Sequence, residues 1–258
     1  MNPAHWALVL SVGLFFGIVA CLEIGYRMGR RCSDKFPGSA HEGIGAIEAA
    51  VFALLGLLLG FSFAGGMSRL DGRRQLIVQE ANAIGTAYFR LDELPASEQP
   101  AMRSLFREYV ATRLRVYEKL PDPQAADAEI ANAEQLQQQI WTQAVIGSRA
   151  DSTQNAARLL LPALNEMIDV TTARTIALHA HLPSLIFALL IWVALLSGWL
   201  AGFAMEKRKR RSWTHMLLYA AVISATIYVV LDLDYPRYGL IHLNTADSAL
   251  IKLRDSIR

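Results

Sequence analysis

The chain has 258 residues, 53% of them hydrophobic and 19% charged, with a formal net charge of +2. This is too apolar for an ordinary soluble domain and too charged for a purely buried one, so the composition describes a membrane protein with a substantial wet part. Its charge asymmetry lies in short blocks and argues against a nucleic-acid partner; two cysteines, Cys21 in an apolar run and Cys32 beside a basic cluster, offer neither a disulfide framework nor a metal site.

In chain order, the first predicted span covers about 6–28. Trp6–Leu22 is uncharged for seventeen residues. A secretory signal carries its positive charge ahead of the apolar run, whereas here Arg27, Arg30, Arg31 and Lys35 follow it, so the segment is expected to be a retained span. Glu23 and Arg27, spaced i, i+4, read as an anchor at the interface. Glu23 and Glu48 are also the acids to consider near a pore mouth. Residues 33–45, rich in Gly and Ser with one Pro, form a connecting loop.

The second span covers about 46–68. Ala49–Ser68 is uncharged over twenty positions, which as a helix is about 30 Å, enough to cross the hydrocarbon core. Beyond it the chain turns polar through Leu94 without a proline, with only Gly72 and Gly85 as weak points. One long helix is therefore expected to leave the membrane and continue into water. On it Gln75, Gln79, Asn82, Thr86, Arg90 and Glu93 follow one another at three or four residues and form one polar stripe. The stripe is either a solvated face or the wall of a wet vestibule in an oligomer.

Residues 69–181 read as a helical extramembrane domain. In 101–120 and in 126–145 apolar residues recur at three and four positions, the pattern of amphipathic helices. Breaks fall at Leu94-Pro95, at Pro121 and Pro123, and at Gly147-Ser148. A last helix over about 152–180 contains Pro162 and is expected to kink there. Spans three (about 182–204) and four (about 213–231) follow, separated by the basic block Glu206–Arg211. The C-terminal segment, 232–258, opens with Asp232 and Asp234, two acids at a membrane mouth on the same side as Arg69, Arg73 and Arg74. The fold class is all-α: four transmembrane helices in two hairpins (1–68 and 182–231), with the helical domain between spans two and three.

Orientation follows from positive charge. The loops after spans one and three carry nine Lys or Arg, against Arg69, Arg73, Arg74, Arg174 and Arg237 on the other side. The count places both termini and the helical domain outside the cytoplasm. The chain carries no enzyme signature. Gly56 and Gly60 lie inside an apolar span with no preceding strand and no following Lys, so they are not a phosphate loop. Together with Gly13/Gly17 and Gly198/Gly202 they show the small-xxx-small spacing of close helix packing in lipid. The six histidines are dispersed, and no metal or cofactor is expected.

Leu58-Leu59-Gly60-Phe61, followed by Arg69, Arg73-Arg74 and Gln79-Glu80-Ala81-Asn82-Ala83-Ile84-Gly85-Thr86, resembles the bestrophin-like domain family of bacterial membrane proteins. Leu164-Asn165-Glu166 and the Asp234, Pro236, Gly239 pattern resemble it further downstream. At greater distance the chain is similar to bestrophins, anion channels built as pentameric helical bundles. That similarity implies a homo-oligomer, inorganic ions and the lipid bilayer as partners, and an apolar pore neck at Ala53, Leu57 and Phe61, which share one helix face. It also implies vestibule or mouth roles for Arg69, Arg73, Arg74, Gln79, Asn82, Thr86, Arg90, Asp232 and Asp234. Bestrophins hold their helical domain in the cytosol, the reverse of the charge count. The leading expectation is an oligomeric ion channel; the alternative is a non-conducting membrane sensor or assembly scaffold.

Overall fold

A computed structural model describes residues 3–35, 44–120, 122–150, 154–205, 212–236, 240–241 and 244–257. The basic block Glu206–Arg211, most of the first loop, Pro121 and Gly239 lie outside these residues. Among those described, the elements are α1 (Pro3–Lys35), α2 (Ile44–Phe89), a 3-10 turn (Arg90–Glu93), α3 (Gln99–Glu118), α4 (Pro123–Ala150), α5 (Asn155–His179), α6 (Ser184–Met205), α7 (Trp213–Asp234) and α8 (Asn244–Ser256), with no strand. Four stretches of the described residues are long and apolar enough to cross a membrane. The chain divides into two compact units, residues 1–68 with 181–241, and 69–180 with 242–258.

In the membrane unit α1 packs along α6 and α7. Its core gathers Leu14, Ile18 and Leu22 of α1, Leu55 of α2, Val193 and Ala194 of α6, and Met216, Ala220 and Ile227 of α7. Lipid tails are as apolar as these side chains, so close packing rather than a hydrophobic drive must hold the helices together. Glycine makes that possible at the α1/α6 crossing. A Cβ on Gly25 would collide with the carbonyl oxygen of Trp199, and one on Gly202 with that of Leu22; at Gly198 it would lie 3.2 Å from Ile18 Cγ2. The small-residue spacing of Gly198 and Gly202 thus has a physical counterpart. At Gly13, Gly56 and Gly60 an added Cβ meets nothing within 4 Å among the described residues. Gly202→Ala should therefore lower stability by about 1–3 kcal/mol, the usual cost of forcing a methyl group into a filled contact, and Gly13→Ala should not. Thermal unfolding of the detergent-solubilised variants checks the contrast.

The second unit is built on the polar half of α2. Its core combines Ile84, Ala87, Tyr88 and Leu91 with Phe106, Tyr109 and Val110 of α3, Leu136 and Ile140 of α4, Leu160, Leu164 and Met167 of α5, and Leu250 of α8. Contacts run α3 on α4, α4 on α5 and α3 on α8. Helix α5, expected over about 152–180, is a single element with Pro162 inside it. The C-terminal segment contributes an element that the sequence reading did not name, α8, whose Leu250 is buried, as is Ile257 just past its end. Within this unit Tyr88 Oη lies 3.5 Å from the Ile257 carbonyl oxygen, and a Cβ on Gly85 would meet Leu253 at 3.3 Å.

Candidate functional site

Helix α2 is one unbroken element of 46 residues, and burial divides it lengthwise. Leu55, Ser62, Leu70, Arg73, Ile77, Glu80, Ile84 and Leu91 are buried and succeed one another at helical intervals. On the other side Ala53, Leu57 and Phe61 are exposed, the last two by 54% and 68%. Gln75, Gln79, Asn82 and Thr86 are exposed as well. At about 100° per residue, both groups fall on one broad side of the helix, apolar in its first half and polar in its second. Of the four apolar stretches, the one in α2 has the smallest buried share in its most apolar window, 11% against 22–44% in the others.

Most of the other predicted mouth residues are held by partners within the chain. Arg73 is buried and donates from Nε to the Ala177 carbonyl at 3.0 Å and from Nη2 to the Ala180 carbonyl at 2.8 Å. It closes the C-terminal end of α5, where the helix dipole favours a cation. Arg74 pairs with Asp71 at 3.2 Å on the surface, Arg69 is half-buried, and Arg90 donates to the Leu159 carbonyl at 2.7 Å. The two acids bind backbone. Asp232 accepts from the Leu240 and Ile241 N–H groups at 3.0 Å. Asp234 accepts from the Leu182 N–H at 3.0 Å, and its neighbour Tyr235 stacks on His181 at 4.3 Å. Both carboxylates are at least nine-tenths buried and so hold the approach to α6 and the end of α7 in place.

A charged group that the sequence reading passes over lies inside the second unit. Glu80 of α2 is fully buried, and its two oxygens face two buried guanidiniums. Arg113 of α3 donates from Nε to Oε1 at 2.5 Å, and Arg174 of α5 donates to Oε2. Tyr117 adds its hydroxyl to Arg113 at 2.8 Å and its ring to Arg174 at 3.8 Å. Next to them Tyr109 Oη meets Thr171 Oγ1 at 3.0 Å and accepts from Gln137 at 2.9 Å. Burial alone would push the Glu80 carboxyl up, but the two guanidiniums outweigh it and hold it below the usual carboxylate range. Burial pushes the Tyr109 phenol up to about 12. Two guanidiniums thus share the one carboxylate of Glu80. Among the described residues no cluster of His, Cys, Asp and Glu could hold a metal ion.

Four bilayer-length apolar helices with a helical body inserted between the second and third define a multi-span, all-α membrane protein. The chain belongs to the Bestrophin-like domain family, whose model matches residues 18–247. No curated protein matches it. Its fold is similar to that of a bacterial bestrophin homologue from Klebsiella pneumoniae, crystallised as a point mutant. The TM-score is 0.65 at 16% identity, covering 96% of this chain and 98% of the other.

Proposed function

We propose that several identical copies of this chain assemble around an axis lined by α2 and conduct inorganic ions, anions by the resemblance to bestrophins. The observation that carries this reading is the exposed side of α2. One chain leaves its second apolar stretch the least covered of the four, and the polar residues Gln75 to Thr86 continue on the same broad side of the helix. A channel needs such a helix: an apolar ring at Leu57 and Phe61 that resists wetting, continued by a polar wall. Four spans from a single copy enclose little room for water, so closed rotational symmetry supplies the bore. Five copies is the number the resemblance implies.

Mass measurement in mild detergent tests the assembly. A pentamer has five times the 28.5 kDa of one chain; a folded protein that stays monomeric contradicts the proposal. Orientation is tested separately. The excess of Lys and Arg after spans one and three supports an inner-membrane protein with its helical domain outside the cytoplasm. A reporter active only in the periplasm should therefore work when fused after Leu120 and fail when fused at Arg210. The reverse pattern would put the domain in the cytosol.

A further inference from the structure

Between α4 and α5 the second unit opens a pocket of about 700 Å³, within the usual range for small-molecule sites, about 300–1,000 Å³. Arg113 lines it while being only 1% exposed. Two of its three guanidinium nitrogens are bound, Nε to Glu80 and Nη2 to Tyr117. Nη1 has no hydrogen-bond partner among the described residues.

The walls have the opposite character. Thr171, Thr172 and Thr175 each give their hydroxyl hydrogen to the carbonyl one helical turn back, at 2.7, 2.9 and 3.0 Å; Thr171 Oγ1 then accepts from Tyr109, which leaves the Thr172 and Thr175 oxygens in the lining as acceptors. Gln137 spends an amide hydrogen on Tyr109, keeping its oxygen as an acceptor. Glu134, exposed, adds a carboxylate to the lining, and Trp141 and Ile168 supply an apolar surface. One cation among several acceptors selects a ligand that carries an anionic group and N–H donors together, on a small apolar body.

We propose that this pocket binds a small zwitterion of the α-amino-acid class, its carboxylate on Arg113 and its ammonium toward the threonine oxygens and Glu134. An inorganic anion would leave the acceptors unused, and a polyanion would be repelled by Glu134. Because Arg113 also holds Glu80, a carboxylate arriving on it competes for the guanidinium that ties α3 to α2.

The test uses the full chain in detergent and the standard L-amino acids one at a time, read by tryptophan fluorescence. Binding is read without ion flux, so its failure is distinguishable from failure of the channel reading. At least one amino acid should give a saturable change that disappears in Trp141→Phe. Its primary amide and its deaminated acid should each bind about ten-fold more weakly or worse, since each lacks one charged contact. Arg113→Lys should lose binding. Because Arg113 also supports the fold, Thr172→Leu provides the second arm: it fills the pocket from an exposed position and should abolish binding in a normally folded protein. No saturable response to any amino acid, equal binding of the amide, or an unchanged Thr172→Leu would overturn the proposal.

Discussion

Glu80→Gln should destabilise the protein by about 3–5 kcal/mol, the range for removing one partner from a buried ion pair. The glutamine keeps the shape and loses the charge, so Arg113 and Arg174, 1% and 3% exposed, are left facing a neutral amide in a buried site. The acidity of Glu80 gives the effect a pH signature. Its folded pKa lies below the ordinary 4.5, so its stabilisation is complete above the unfolded value and is lost as pH falls through the folded one. Wild-type thermal stability should therefore drop on acidification below about pH 4.5, whereas the variant starts low and changes less across that window. Circular dichroism melts at neutral and acid pH measure both. Equal stability at neutral pH would mean that the carboxylate does not hold the two arginines.

The second large effect is on conduction. Phe61→Asn should raise ion flux, because an amide in an apolar constriction lowers the cost of wetting it. Phe61 is 68% exposed within one chain, so the substitution removes little packing from the fold. At a lipid-facing position it would instead place a polar group where partners are scarce and lower stability with no gain in flux. Gly56 is exposed as well, and an added Cβ there meets nothing within 4 Å among the described residues. Gly56→Leu thus serves as the comparison: it should disturb contacts between copies without widening the bore. A leaky, assembled Phe61→Asn beside a poorly assembled Gly56→Leu is the expected pair of outcomes.

The long helix was readable because nothing in 44–89 interrupts helical geometry: a charge-free run passes into a polar stripe with no proline between them. The structure bears this out in α2. The buried ion group had a signal that hydropathy averaging hides. Glu80 stands between Ile77 and Ile84, Arg113 between Tyr109 and Tyr117, and Arg174 after Leu160, Leu164, Met167 and Thr171, each on the apolar side of its helix. A charge in that register must be buried and therefore partnered, but pairing residues 33 and 94 positions apart requires the tertiary fold. Helix α8 was missed because it has only 13 residues, short for a helix to be recognised from periodicity alone; Leu250 and Leu253, with Ile257 just past its end, recur at three and four and face the core. Asp232 and Asp234 show the reverse difficulty. Their clustering is visible in sequence, while their use on backbone N–H groups is set by where the chain turns.

Ion flux from liposomes that hold the purified wild-type protein bears most directly on the channel proposal. Chloride, potassium and proton fluxes are measured at known protein-to-lipid ratio, beside empty liposomes and beside Phe61→Asn. The proposal predicts chloride flux above the empty-liposome level that scales with assembled protein and rises in Phe61→Asn. Flux at the empty-liposome level for all three ions, from both proteins in an intact oligomer, would contradict it and leave the non-conducting reading in its place.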